Sequence, residues 1–176
     1  MCDMNIFITS ECFLNRFSNS SLMSITEEID QTDIEILKML QDDCRVTLDE
    51  MANKLKISKS TVYYRIKKLE RLGIILGCHA KLSPEKMGKD YVAVILVKAK
   101  YGPGYHEKVG QKLASIGGVT TVYYIFGEWD FVLQVRASGK DEILRILEQI
   151  MNMEEVERTS TLIVAKVIKE DPRLPI

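Results

Sequence analysis

The densest concentration of groups able to hold a polyanion lies between residues 56 and 71, KISKSTVYYRIKKLER. Six cations, Lys56, Lys59, Arg65, Lys67, Lys68 and Arg71, face one acid, Glu70, so the segment carries a local charge of +5. Hydroxyls and flat phenol rings are interleaved at Ser58, Ser60, Thr61, Tyr63 and Tyr64. Ammonium and guanidinium groups bind phosphates, and guanidinium, hydroxyl and aromatic tips also contact base edges in the major groove. A merely solvated charged helix can have the same composition. The surrounding elements decide between the two.

At about 100° per residue, Val62, Ile66 and Leu69 fall on one side of a helix that Ser58 would cap. The opposite face centres on Ser60, Tyr64, Lys67, Lys68 and Arg71, with Thr61, Tyr63 and Arg65 flanking it. Just upstream, Thr47 and Glu50 have capping-box spacing, and Leu48, Met51, Ala52 and Leu55 form an apolar stripe. Two short helices with a three-residue turn are therefore expected over 47–72, the arrangement of a DNA-reading helix-turn-helix. Asp30 would cap an earlier helix from about residue 31 to 41, burying Ile34, Leu37 and Leu40 with Ile36 beside them. The predicted head spans 25–73, its core built from Ile34, Leu37, Leu40, Leu48, Met51, Leu55, Val62, Ile66 and Leu69, and Gly73 ends its last helix. Residues 74–90 are expected to form a wing strand and linker, with a turn at Ser83-Pro84.

The whole chain limits what that head can be. It has 176 residues and a net charge of −1, which argues against general coating of nucleic acid and places any DNA contact on a local patch. No apolar run approaches the roughly 20 residues of a membrane helix, and a cytoplasmic protein is expected. Cys2, Cys12, Cys44 and Cys78 lack zinc-site spacing, so reduced thiols are the expectation. His79 and His106 are too scattered to indicate a metal site. Residues 1–24 differ in composition from the rest; with Met23 as an alternative start, they read as a mis-assigned beginning or a poorly ordered arm.

From Tyr91 the periodicity changes. YVAVILVKA (91–99) reads as a strand covered on both faces, and Tyr105, Val109, Leu113 and Ile116 give a helix over 105–116. Strands follow at 119–126 and 131–137, then a helix at about 140–151 with Ile143, Leu144, Leu147 and Ile150 inward, a strand at 156–169 and a tail at 171–176. The order β-α-β-β-α-β predicts a ferredoxin-like domain over 91–170, giving an α+β protein with a helix-turn-helix head. Both helices would lie on one face of the sheet. Val94, Leu96, Tyr124, Leu133 and Val135 are expected on the other, which a second subunit would cover in an isologous dimer.

The motifs I-D-x-x-D-x-x-I-L from Ile29 to Leu37, S-x-S-T-V-x-x-R-I-x-x-L-E from Ser58 to Glu70, G-x-I from Gly73 to Ile75 and G-x-x-D from Gly127 to Asp130 occur in one order. Together with the two-domain layout they resemble the Lrp/AsnC family of feast/famine regulators, over about residues 25–170. The resemblance implies that Ser58, Lys59, Ser60, Thr61, Tyr64, Arg65, Lys67 and Lys68 lie on or near double-stranded DNA. It implies dimers that assemble into octamers or open helices and bind a small effector, usually an amino acid, between dimers. The Gly127–Asp130 turn would lie at that site, with Glu128 or Asp130 holding an α-ammonium group and Thr159, Ser160 and Thr161 bonding the ligand. Otherwise Gly127 only makes the turn and Trp129 packs at an interface. The function expected is a sequence-specific transcription regulator with no catalytic residues, cofactor or metal. An architectural DNA-compacting protein is the alternative. Sirohaem decarboxylases resemble the same layout, but no converging histidine cluster supports that chemistry here.

Overall fold

The computed structural model describes residues 29–100, 102 and 104–176, so the expectations for residues 1–24 lie outside the described residues. The chain divides into two units, one of residues up to 80 together with 172–176 and one of residues 81–171.

The first unit contains α1 (Gln31–Asp42), α2 (Leu48–Leu55) and α3 (Lys59–Arg71). Each start is a cap readable in the sequence. Asp30 and Asp33 form a reciprocal capping box on α1, Thr47 and Glu50 form another on α2, and the Ser58 hydroxyl accepts from Thr61 N–H on α3. Lys56 ends α2 in the left-handed conformation (φ 56°). A side chain there costs about 1–2 kcal/mol, and it sets the sharp exit toward α3. Ile36, Met51, Ala52, Val62 and Leu69 form the buried core, with Leu37, Leu40, Leu48, Leu55 and Ile66 partly buried against it. The inward stripe of α1 is thus Asp33, Ile36, Leu37 and Leu40. Ile34, expected in the core, lies beside it, and a carboxylate takes its place.

Two further expectations are corrected, one of them for a stretch that runs from this unit into the second. Residues 74–90 contain no strand, because the extended stretch after Gly73 has no partner ladder; a helical turn at Ser83–Gly88 follows. The expectation of reduced thiols also fails for one pair, since Cys44 and Cys78 are bonded to each other. That bond closes a loop across a separation of 34 residues. In a chain-entropy account such closure stabilises the folded state by about 4 kcal/mol. Residues 172–176 also pack in this unit, where Arg173 pairs with Asp42 (2.6 Å) and Leu174 N–H donates to Gln41 (2.6 Å).

The second unit is built from β1 (Tyr91–Ala99), α4 (Tyr105–Ala114), β2 (Val119–Tyr124), β3 (Phe131–Ala137), α5 (Lys140–Met151) and β4 (Val156–Ile163). Its antiparallel sheet has the order β2-β3-β1-β4. This is the predicted ferredoxin-like topology, with β2 and β4 ending earlier than expected. Ala93, Ile95, Val97, Phe131, Leu133 and Val135 pack beneath Val109 and Leu113 of α4 and Ile143, Ile146 and Ile150 of α5.

Register corrects the expected composition of the other face. Ile95 pairs with Leu133, Ala93 with Val135 and Phe131 with Tyr124, so Leu133, Val135 and Tyr124 belong to the helix side. The open face instead carries Val94, Leu96, Val132, Tyr123 and Leu162, with Gln134, Arg136 and Ser160 among them. Glu170 reaches back over this face to bond Gln134 (2.8 Å) and Arg136.

Gly118 makes the close approach between β2 and α5. At its φ of +91°, an added Cβ would lie 2.7 Å from Ile146 Cδ1 and 3.1 Å from the Arg136 carbonyl oxygen. Gly118→Ala should therefore cost about 2 kcal/mol, read as a lower urea midpoint by fluorescence of Trp129, the chain's single tryptophan. Glu142 offers a pH test. Its carboxylate accepts from Lys89 Nζ (2.7 Å), Ser138 Oγ (2.6 Å) and Ser138 N–H (2.8 Å), which hold its pKa down from 4.5 to about 2. A depressed carboxylate stabilises the fold above its unfolded pKa and loses that contribution as pH falls through the folded one. Between pH 5 and 2 the unit should lose stability less steeply in Glu142→Gln than in the parent, by the same fluorescence.

Candidate DNA interface and effector site

The face of α3 opposite Val62 and Leu69 is open to solvent, with Ser60, Tyr64, Lys67 and Arg71 in one line and Tyr63 beside it. Tyr64 is 66% exposed, far more than a phenol ring that packs in a core. At the first turn the Ser58 hydroxyl lies 2.8 Å from that of Ser60 and 2.7 Å from that of Thr61, so three hydroxyls cluster at the positive end of the helix. Lys67 bonds Glu70 (2.7 Å) and lies 5.8 Å from the Tyr63 ring centroid. Lys59 pairs with Asp49 of α2. Exposed pairs of this kind contribute little and can exchange for phosphates.

Arg65 is different. Its Nη1 donates to both Asp30 oxygens (2.7 Å each) and to Asp33 Oδ1 (2.8 Å), while Lys68 Nζ lies 3.3 Å from Asp33 Oδ2. Asp33 is wholly buried. The Arg65 bond, followed by the Asp33 backbone N–H, holds the Asp30 carboxyl below the usual carboxylate range, and both carboxylates raise the Arg65 pKa. Arg65 thus turns toward α1, away from the outward line, and joins the first and third helices. Of the ten residues expected on DNA, Ser58, Lys59, Ser60, Thr61, Tyr63, Tyr64, Lys67 and Arg71 are exposed, Lys68 is half-buried at the edge, and Arg65 is held internally. The count of +5 overlooks Asp30, Asp33 and Asp49, acids from other helices that fold against the segment.

At the other candidate site, Gly127 (φ +146°) opens the turn between β2 and β3. Glu128 is exposed and accepts from Arg158 Nη2 at 3.0 Å. The Arg158 guanidinium lies over the Trp129 ring, 4.7 Å from its centroid. Asp130, one of the two acids that the resemblance offers to an α-ammonium group, is only 4% exposed. Its Oδ2 accepts from Ala99 N–H (2.8 Å) and its Oδ1 from Lys98 Nζ (3.1 Å), and its own N–H donates to Val97 O. Those bonds tie the turn to β1. The β4 hydroxyls divide between faces, because Thr159 and Thr161 pair with the helix-side Val97 and Ile95 whereas Ser160 pairs with the open-face Leu96. Sequence reading missed Arg158 and Lys98. Arg158 stands next to the selected Thr159 and pairs in register with Lys98, a cation within reach of Asp130.

The expected scarcity of histidine chemistry can also be placed. His106 packs at the start of α4 against Tyr105 and Tyr124, with ring centroids 5.8 and 5.4 Å away. His79 lies in the first unit. Among the described residues no group of three or more His, Cys, Asp or Glu side chains could hold a metal ion, and no helix is long and apolar enough to cross a membrane.

A helix-turn-helix with an outward line of hydroxyls, phenols and cations, followed in one chain by a ferredoxin-like unit, defines a DNA-binding transcription regulator with a separate ligand-binding domain. Residues 29–75 match the winged helix-turn-helix DNA-binding family and residues 92–174 the Lrp/AsnC ligand binding domain. The chain belongs to the Lrp/AsnC family of transcription regulators. It is 36% identical over 147 residues to an uncharacterised HTH-type transcriptional regulator of Pyrococcus furiosus, covering 84% of this chain and 98% of that one. The HTH-type transcriptional regulator FL11 of the same organism is 34% identical over 148 residues, covering 84% and 97%. Among solved structures, E. coli AsnC superposes with a TM-score of 0.74 at 29% identity, covering 81% of this chain and 95% of its own. A Neisseria meningitidis regulator solved in complex with L-Met gives 0.77 at 28% identity, covering 84% and 96%.

The two kinds of cation on α3 should separate in a binding assay. Lys67→Ala should weaken binding to every duplex and reduce the slope of log K against log salt by about 1. Arg65→Ala should leave the slope of the folded protein unchanged while costing the head about 2–3 kcal/mol, because Asp33 loses its shorter cationic contact. A slope change in Arg65→Ala equal to that of Lys67→Ala would place Arg65 on the phosphates.

Proposed function

We propose that the chain is a dimeric, cytoplasmic transcription regulator without enzymatic activity that reads DNA with the outer line of α3 and senses an amino acid at the Gly127–Asp130 turn. The observation that carries the effector reading is the exposed Glu128–Arg158 pair set against Trp129. A zwitterion can enter such a pair with both its charges answered, the ammonium by Glu128 and the carboxylate by Arg158 in a charge-assisted bond. The indole supplies apolar surface for a side chain. The L-Met complex of the Neisseria meningitidis relative supports the same ligand class. Asp130 acts from beneath, fixing the turn. Thr159, Ser160 and Thr161 are left as the strand that carries Arg158 into place.

Dimerisation is supported by the open sheet face, where Val94, Leu96, Val132, Tyr123 and Leu162 cluster with no helix of the described residues over them. An isologous pair would place two α3 helices on one duplex, each reading a half-site. Further assembly into octamers or open helices rests on family resemblance. Effector control follows if the amino acid binds one assembly state more tightly than another.

A thermal-shift screen of the twenty amino acids tests the effector. A ligand at one hundred times its Kd stabilises the site by about 2.7 kcal/mol, so at least one amino acid should raise the transition by several degrees. Arg158→Ala and Glu128→Gln should each remove the shift. Asp130→Asn should lower the transition with or without ligand. A full shift surviving in both Arg158→Ala and Glu128→Gln would move the effector site elsewhere.

A further inference from the structure

We propose that the Cys44–Cys78 bond is a reversible thiol–disulfide exchange site, with small thiols and small disulfides as its co-reactants, and that its state sets how firmly the DNA-reading head is held together. Three observations carry this. The bond encloses all of α2 and α3, joining the loop before the Thr47 cap to the segment that leaves α3 after Gly73. Both cysteines are exposed, so a small thiol can reach either sulfur; exposed disulfides are the labile ones. Neither cysteine belongs to the head core, which closes through Ile36, Met51, Val62 and Leu69, with Ile74 and Ile75 folding back on it. The head can therefore fold in either state, and the bond acts on its stability.

The exchange is ordinary two-step chemistry. A small thiolate attacks one protein sulfur, the S–S bond breaks, and its electron pair leaves on the other sulfur, which takes up a proton. A second small thiolate attacks the mixed disulfide, releasing the remaining protein thiolate, which is protonated in turn. Two small thiols are oxidised to one small disulfide as the protein disulfide is reduced to two thiols. An excess of the small disulfide runs the same steps backward. Unlinking frees the loop at 43–47 and the segment at 76–80 in the unfolded chain, so the folded head loses the advantage of a closed loop.

The test uses the full-length protein equilibrated with reduced or oxidised glutathione. In the oxidised sample, non-reducing peptide mapping should recover one fragment pair joined through Cys44 and Cys78, and the reduced sample should lose it. Hydrogen exchange over residues 47–72 should be slower when oxidised, a readout that needs no DNA. The temperature at which half of a bound duplex is released should be higher by about 10 °C or more. Cys44→Ser and Cys78→Ser should match the reduced parent in either buffer. The proposal is overturned if no Cys44–Cys78 fragment forms, if exchange over 47–72 is the same in both samples, or if the serine variants also respond to glutathione.

Discussion

A carboxylate removed from water must be met by cations, and in the head that requirement falls on Asp33. Its burial on the inward stripe of α1 forces Arg65 and Lys68 of α3 to approach, and Asp30 shares Arg65 while capping α1. An unpaired charge there would cost several kcal/mol. The first and third helices are thereby locked in one rotational setting, in which Val62 and Leu69 turn inward and Ser60, Tyr64, Lys67 and Arg71 outward. Which face of α3 meets solvent is a consequence of where one acid is buried.

The second unit repeats the logic with a different acid. Asp130 takes a backbone N–H and an ammonium group from β1, so the turn that carries Glu128 and Trp129 is anchored beside Arg158. Buried acids position and exposed charges remain available for exchange. That distinction separates Arg65 from Lys67 in the head and Asp130 from Glu128 at the turn. Residue type alone does not make it.

What could be read from the sequence follows the range over which each signal acts. Caps, helix stripes and the β-α-β-β-α-β order are local, and Asp30, Thr47, Ser58 and the change of period at Tyr91 announced them. Strand parity was legible in one strand only. In 131–137 Gln134 and Arg136 alternate with Phe131, Leu133 and Val135, which marks the buried side. The run at 91–99 is apolar but for Lys98 near its end, so pairing is needed to put Ile95 on the side of Leu133 and Leu96 on the other. The partners of Arg65 lie 32 and 35 residues away, and Cys44 and Cys78 meet across 34. Arg158 was hidden for the same reason, since its importance comes from the turn folded against it.

The two faces of α3 have almost no residues in common. The core needs Val62, Ile66 and Leu69, the lock to α1 needs Arg65 and Lys68, and the turn before the helix depends on the backbone of Lys56. Ser60, Tyr63, Tyr64, Lys67 and Arg71 bear none of those duties. On the proposed function, sequence change along that line would alter which operator is bound while leaving the domain able to fold. A duplicated copy of a protein that reads DNA in the proposed way could acquire new target genes by drift on one helical face, without first passing through an unstable ancestor.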